Sequence, residues 1–258
     1  MDSPATPATP LLGTKPWSRG HEARRFLMEE VNVKNAYVPL LVCCFTTGLI
    51  DAGCYNAWSV FMGMQTGNTI FLALSTANLP ADTDHLKWAR SGISILTLMA
   101  GSFITGRIYA VTGGTRRQTL LISFIVQALC IAVAAVLVQF EIVPSSPPSS
   151  KLIFIAIPFL AAQSGAQIVT AKSLGFGEIP TTVLTSGYND LASDTKLLAW
   201  NNPKRDRRFG SLVMMLLGGI AGAWISRSES GLAVVLWVGA GIKVLLALAW
   251  LGFSRNTG

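Results

Sequence analysis

The stretch GLIDAGCYNAWSVFMGMQTGN, residues 48–68, places a carboxylate and then a polar break inside sequence that is otherwise apolar. No charged side chain stands between Ala36 and Ile50, which precede Asp51. An ionised carboxylate in hydrocarbon is costly unless it is paired, hydrated or protonated. Asp51 is therefore expected either to bind a substrate or couple proton movement, or to form a structural ion pair or mark the end of a segment.

The composition around this stretch is that of an integral membrane protein. Only 13% of the 258 residues are charged and 51% are hydrophobic, whereas roughly 25% of a soluble domain is charged. Apolar runs long enough to cross the hydrocarbon core recur along the chain. We therefore predict an all-α fold and the lipid bilayer as its surroundings.

Eight apolar segments follow one another, and two of them are short. The short segments contain glycine, and the second opens at Pro180. Segments that are interrupted in this way make poor continuous membrane spans. The prediction is a polytopic transmembrane helical bundle with six long spans and two short Gly/Pro-interrupted segments. The long spans are 36–58, 91–111, 118–140, 152–171, 209–226 and 231–253; the short segments are 61–78 and 180–195.

The order of these segments repeats. Each half has a long segment, a short broken one and two long ones, and Gly48 precedes Asp51 as Gly165 precedes Gln167. Paired breaks in two halves are typical of transporters. We predict a single transmembrane domain, 36–254, after a disordered cytoplasmic tail, 1–35. Within the domain, repeat one is 36–140, the linker is 141–151 and repeat two is 152–253.

The net charge of +7 fits a membrane surface better than a nucleic acid. Most Lys and Arg residues lie in the tail or in loops, and no basic face is interleaved with stacking aromatics. The positive-inside rule predicts that both termini are cytoplasmic. It leaves open whether the short segments cross, giving eight spans in parallel halves, or re-enter, giving six spans in inverted halves. Segment length favours re-entry.

No cofactor or metal site is expected. The chain has four cysteines, all in apolar segments and without C-x-x-C spacing, and its two histidines lie far apart in sequence. Zinc and haem sites need ligands in closer sets. Small-residue spacings, such as Gly218 with Gly222, allow close helix contact, so a homo-oligomer is possible.

The candidate binding residues lie at Asp51 and at the two breaks. Freed backbone groups inside a membrane must be satisfied by protein, water or ligand. Ordinary inter-helix loops are the alternative for the breaks. Arg107 and Lys243 are possible counter-charges, with snorkelling to the interface as the alternative. The predicted substrate or ion site comprises Asp51, Tyr55, Gln65, Thr66, Gly67, Asn68, Gln167, Thr185, Ser186, Gly187, Asn189 and Asp190.

These motifs resemble the YoaK-like family of polytopic membrane proteins, domain of unknown function 1275. The resemblance rests on G-L-I-D-A-x-x-Y at 48–55, on M-Q-T-G-N at 64–68, and on Gly165, Gln167, Thr181, Thr182, Thr185 and Gly187 in the later half. It covers about 36–253. Gln65, Ser186 and Ile168 depart from the family pattern. The resemblance implies a polytopic bundle, related in design to inverted-repeat transporters, and supplies no substrate.

Three functions are compatible with these features. The leading hypothesis is a secondary transporter of a small solute, with possible proton coupling through Asp51. The second is a non-transporting membrane scaffold. The third is an intramembrane aspartyl enzyme using Asp51 and Asp190, but Ile50 replaces a glycine of that motif and the order of the two motifs is reversed. We therefore expect that the protein is not an enzyme.

Overall fold

The computed structural model of the protein describes residues 19–79, 85–146 and 150–255. Within these ranges the chain forms α-helices and short 3₁₀ turns. The β-structure in these ranges consists of two isolated bridges. The helices are α1 Arg19–Met28, α2 Tyr37–Trp58, α3 Gln65–Thr76, α4 Lys87–Thr112, α5 Arg117–Gln139, α6 Ile153–Ser173, α7 Thr185–Ala192, α8 Pro203–Ile225 and α9 Gly231–Ala249; the 3₁₀ turns are Val33–Asn35 and Trp250–Gly252.

Six helices, α2, α4, α5, α6, α8 and α9, are long and apolar enough to cross a membrane. Together they confirm the predicted all-α bundle with six long spans. Their bounds follow the predicted segments, except that α4 and α8 begin several residues earlier. Both additions, Lys87–Arg90 and Pro203–Arg208, are polar stretches, which hydropathy places outside the hydrocarbon although their backbone is helical.

Both ends of the described chain lie at one end of the bundle, which we call the terminal end. The backbone N–H of Asn32 donates to the carbonyl of Ser254 at 2.8 Å. Arg117, at the start of α5, donates to the carbonyls of Phe26 and Phe253. It also forms an ion pair with Glu29 at 3.5 Å. These contacts tie the two chain ends to the bundle.

The same contacts correct the prediction of a disordered tail over 1–35. Residues 19–35 form α1, a bridged segment and a 3₁₀ turn. Composition alone missed them because their order depends on Arg117 and Ser254, which are distant in sequence. Residues 1–18 lie outside the described part of the chain.

The segment after α2 turns back into the bundle. α2 runs from the terminal end to the opposite end, where the indole of Trp58 donates to the carbonyl of Pro144 at 3.0 Å. Residues 62–64 nevertheless bond to Asp51, which lies about two turns before the end of α2. α3 therefore starts at depth and leads back to the opposite end. We call 59–64 the first break.

The segment after α6 makes the corresponding path from the terminal end. The side chain of Gln167, inside α6, donates to the carbonyl of Thr181 at 3.3 Å. The chain between Ser173 and Thr185 therefore returns to the depth of Gln167 before α7 begins. We call 174–184 the second break. In this geometry α3 and α7 begin at depth within the bundle and lead back to opposite ends of it, and neither is among the six candidate spans.

The long helices pack as three pairs: α2 with α8, α4 with α6, and α5 with α9. Glycines permit the first two crossings. A Cβ on Gly48 would lie 2.1 Å from the carbonyl oxygen of Met215 in α8, and a Cβ on Gly165 would lie 2.3 Å from that of Leu98 in α4. Because any side chain there would overlap backbone, both crossings require glycine.

Candidate functional site

Buried polar side chains from four long helices and the second break meet in the middle of the bundle. We call this set the central polar cluster: Thr47 and Asp51 of α2, Gln127 of α5, Gln167 of α6, Thr181 and Thr182 of the second break, and Lys243 of α9. All are buried. Polar groups at this depth require partners inside the protein, which are described next.

Asp51 binds the backbone of the first break. One carboxylate oxygen accepts from the N–H groups of Met62 and Gly63 at 2.6 and 2.9 Å, and the other accepts from Met64 at 3.1 Å. These N–H groups immediately precede α3, whose positive dipole end they extend. The carboxylate thus caps a half-helix from a neighbouring helix. This is the position where an anionic ligand would otherwise bind.

Lys243 is fully buried and has only neutral partners in the described chain. Its ammonium donates to Gln127 Oε1 at 2.7 Å and to Gln167 Oε1 at 2.5 Å, and it lies 3.8 Å from the thiol of Cys43. It also stands 5.2 Å from the ring centre of Phe124. No carboxylate of the described residues pairs with it, so its charge is stabilised by dipoles alone.

Gln167 connects Lys243 to α2 and to the second break. Its amide donates to Thr47 Oγ1 at 2.9 Å and to the carbonyl of Thr181, while its oxygen accepts from Lys243. Thr47 is one helical turn before Asp51, so both lie on one face of α2. The hydroxyl of Thr181 is buried without a hydrogen-bond partner among the described residues.

The two breaks meet beside Asp51. The space where a Cβ of Gly63 would stand is bordered by Thr47 Cγ2 at 3.0 Å, an oxygen of Asp51 at 3.2 Å and Thr182 Cγ2 at 3.5 Å. Glycine at position 63 therefore lets the first break approach both α2 and the second break. The segments that meet are 62–64 and 181–182, just before the half-helices that the sequence indicated.

The predicted residues of α3 hold the first break rather than face the cluster. Asn68 pairs through its side-chain amide with the N–H and carbonyl of Phe61 at 3.0 and 2.7 Å. Gln65 donates to the carbonyl of Met62 and to Ser94. With their polar groups committed in this way, Gln65 and Asn68 stabilise the turn.

The remaining predicted residues of this region lie further out. Thr66 is exposed, and Gly67 lies against the ring of Phe61. Tyr55 is exposed and stacks on that ring with centroids 4.6 Å apart. The structure therefore does not bring Tyr55, Thr66 or Gly67 to the central polar cluster.

The predicted residues of α7 also lie away from it. Thr185, Ser186, Asn189 and Asp190 are exposed, and Gly187 is buried against Leu212 and Pro180. The polar residue types in the sequence identified the segment that follows the second break, but in the short helix α7 these side chains point outward. The structure therefore does not bring these α7 residues to the central polar cluster, whereas the preceding Thr181 and Thr182 lie in it.

Asp190 and Asp51, the two aspartates of the aspartyl-enzyme hypothesis, lie in different surroundings. Asp190 lies at the surface and reaches Arg208 at 4.0 Å, whereas Asp51 is buried and bonded to residues 62–64. The described contacts join neither to the other.

The two possible counter-charges have different positions. Arg107 is exposed on α4 and lies 5.0 Å from the ring centre of Phe103, as a snorkelling side chain would. Lys243 is in the cluster, but it donates to Gln167, which in turn donates to Thr47 and not to Asp51. Neither cation pairs directly with Asp51, so the ion-pair hypothesis is wrong for the described structure.

The predicted site left out Thr47, Gln127, Thr181 and Thr182, although Thr181 and Thr182 were among the residues that carried the family resemblance. Gln127 offered a signal, since it is an amide inside the apolar run of α5 and such residues commonly bond between helices. Thr47 offered a weaker one, its helical spacing from Asp51. The contact of Thr181 with Gln167 depends on tertiary structure and has no local signature.

A cavity of about 360 Å³ opens between α4 and α5 toward the terminal end. Its lining includes Tyr109, Thr119, Ser123 and Ala166. Ser123 accepts a hydrogen bond from Gln127 at 3.2 Å, and Gln127 in turn accepts from Lys243. The cavity is thus connected to the central polar cluster through two side chains.

Comparison with known proteins assigns the family. Residues 39–249 match the model of a family described as protein of unknown function, DUF1275. The chain belongs to the DUF1275 family. The match covers all six spans and both breaks, as the motifs at 48–55 and 64–68 predicted. No curated protein and no solved structure matches the chain. A DUF1275 membrane protein of unknown function is therefore the level of description that these comparisons support.

Proposed function

We propose that this DUF1275 protein is a secondary transporter of a small polar or anionic solute. One observation carries the proposal: two half-membrane breaks meet at a buried polar cluster whose only cation, among the described residues, has neutral partners. Ionisable groups inside a membrane domain are costly and commonly mark a substrate or ion pathway. A buried ammonium surrounded by amides favours a solute that presents oxygen atoms.

An inverted repeat supports this proposal. One constant shift in residue number carries Gly48 of α2 and its contacts Met215 and Gly219 onto Gly165 of α6 and its contacts Leu98 and Ser102, with the roles of the halves exchanged. The same shift relates the contact of Gly101 with Ala162 to that of Gly218 with Phe45. Half-helices entering from opposite ends are what inversion of one half would produce.

The two ionisable residues have different roles in this proposal. Three N–H groups hold Asp51 in place, so it fixes the first break and is less suited to proton coupling than the sequence suggested. Lys243 can exchange its amide partners for a solute. The cavity between α4 and α5 gives the approach from the terminal end, and a second conformation would open the cluster to the opposite end.

We also propose that the terminal end is cytoplasmic. Arg24, Arg25, Arg116 and the basic residues that begin α8 lie at this end, whereas the opposite end has fewer basic residues, including Lys87 and Lys151. This asymmetry follows the positive-inside rule.

The scaffold hypothesis remains the second candidate because most of the cluster is satisfied internally. Asp51, Gln127, Gln167 and Lys243 all have partners at hydrogen-bond distance. A scaffold needs no second conformation, so access to the cluster separates the two functions.

The native thiols provide the experiment. Cys43 and its neighbour Cys44 are both fully buried in the same apolar cluster, and Cys43 Sγ lies 3.8 Å from the ammonium of Lys243. Two variants retain only Cys43 or only Cys44, with the other cysteines replaced by alanine. Each is reconstituted into sealed proteoliposomes and treated with a membrane-impermeant thiol reagent from outside or inside.

For a transporter, Cys43 reacts from both sides, and at least tenfold faster than Cys44 from either side, because the cluster alternately contacts each aqueous phase. Reaction of Cys43 from one side alone, or from neither, would overturn alternating access and leave the scaffold. A solute found by screening would then be expected to protect Cys43.

A further inference from the structure

The loop between α7 and α8 presents apolar side chains at the surface outside the predicted spans. Leu198 is 93% exposed and Trp200 is 102% exposed. The basic start of α8 follows, and its apolar face begins at Phe209. The loop therefore lies near the level where hydrocarbon meets headgroups, and tryptophan is enriched at that level.

The exposure of Leu198 and Trp200 is held by hydrogen bonds. Arg205 donates to the carbonyls of Leu197 and Ala199 at 2.6 and 2.7 Å. Asn202 bonds to Asp194, to the carbonyl of Lys196 and to the N–H of Arg205. Because Arg205 binds the carbonyls on both sides of Leu198 to α8, the conformation of the loop is fixed by hydrogen bonds.

A polar cavity of about 820 Å³ adjoins the loop. Its charged lining comprises Asp190, Asp194, Lys196, Lys204, Arg207 and Arg208. Arg208 pairs with Asp194 at 3.6 Å, and Arg207 pairs with Glu178 at 2.6 Å. The ammonium groups of Lys196 and Lys204 have no hydrogen bond or ion pair within 19–79, 85–146 and 150–255. The carboxylates are thus held by arginines, while two cations remain available.

The acidic residue at the centre of this cavity is kept ionised. The N–H of Lys196 and the side chain of Asn202 donate to Asp194, and these bonds hold its pKa below the ordinary value of 3.8. The carboxylate orders the cavity and leaves Lys196 and Lys204 to bind an external anion.

We propose that residues 194–204 form a binding site for an anionic phospholipid, in which Lys196 and Lys204 bind the phosphate while Leu198 and Trp200 enter the acyl region. Free phosphate would account for the lysines but not for the clamped apolar pair beside them. Lysines near a membrane surface strengthen the binding of anionic lipid, so the two together should give a readily measured selectivity.

The test compares lipid retention by three proteins. Wild type, K196Q/K204Q and the matched control K34Q/K151Q, which removes two exposed lysines elsewhere, are placed in nanodiscs of phosphatidylcholine with about one phospholipid in five as phosphatidylglycerol. Native mass spectrometry then counts the phosphatidylglycerol that remains bound after mild extraction. We expect roughly tenfold less retention in K196Q/K204Q and no change in the control.

A second readout locates Trp200. In phosphatidylcholine brominated on its acyl chains, wild type should lose more tryptophan fluorescence than W200F, the difference being the emission of Trp200. Equal retention by K196Q/K204Q and the control, displacement of the lipid by inorganic phosphate, or an unquenched Trp200 would each overturn the proposal.

Discussion

In the proposed repeat the first break, 59–64, and the second, 174–184, occupy corresponding places, yet their backbones are held differently. A carboxylate from α2 binds three N–H groups of the first break. The shift that relates the two halves places Ile168 at the position of Asp51, and an amide of Gln167 holds one carbonyl of the second. Charge-assisted hydrogen bonds are about twice as strong as neutral ones. Among these contacts the first break is therefore the more strongly anchored of the two.

The largest expected effect comes from removing the anchor. Asp51→Ala leaves two buried N–H groups and the partly buried N–H of Met64 without acceptors, and each buried charge-assisted bond is worth about 1.5–3 kcal/mol. We expect the free energy of unfolding to fall by roughly 4 kcal/mol, measured by denaturant titration of the purified protein. A variant of unchanged stability that had lost solute transport would return Asp51 to a coupling role.

Substitution of the glycines at the two helix crossings should lower stability by similar amounts, even though the two breaks are held differently. Gly48→Ala and Gly165→Ala both force a methyl group against backbone, and overpacking of this kind costs about 1–3 kcal/mol. Both melting temperatures should fall by similar amounts. Gly92→Ala is the control, because nothing lies within 4 Å of a Cβ there. A large loss in only one of the two variants would argue against the inverted repeat.

Gln167 should contribute less than Asp51. Gln167→Leu removes neutral bonds to Thr47 and Thr181 and one partner of Lys243, at a cost of about 1–3 kcal/mol. Hydrogen exchange should accelerate in 174–192 and remain unchanged in 59–76. Equal acceleration in both breaks would contradict the assignment of separate anchors.

The smallest effect concerns pH at the loop after α7. The pKa of Asp194 is lowered by its hydrogen bonds, so its contribution to stability is complete above the ordinary value and is lost as pH falls through the lower, folded-state value. The Trp200 environment should therefore stay constant from neutral pH down to about the ordinary pKa of 3.8 and change below it. Asp194→Asn should remove this transition. A transition near neutral pH in wild type would contradict it.

Hydropathy and glycine placement were sufficient to predict the six spans and the two short segments, but they left open whether the short segments cross the membrane or re-enter. The partners of the buried charges were not predictable in this way. Asp51 bonds to backbone atoms, which carry no residue-specific signal, and Lys243 finds Gln127 and Gln167 from other helices.

The outward direction of the α7 side chains was the second feature that the sequence did not predict. Thr185, Ser186 and Asn189 have the composition of a binding motif, but their orientation depends on where the second break ends. A shift of one or two residues in a helix start rotates each side chain by about 100° per residue. Sequence pattern could therefore identify the segment but not its inward face.

The pairing of α2 with α8 has a consequence for biosynthesis. Of the six described spans α2 leaves the ribosome first, yet the face containing Gly48 has its partner in Pro203–Ile225, the fifth of them. Asp51 finds its own partners much earlier, in residues 62–64. The nascent chain can thus supply hydrogen-bond donors to Asp51 within residues 51–64, while the glycine face of α2 has no partner until α8 is inserted.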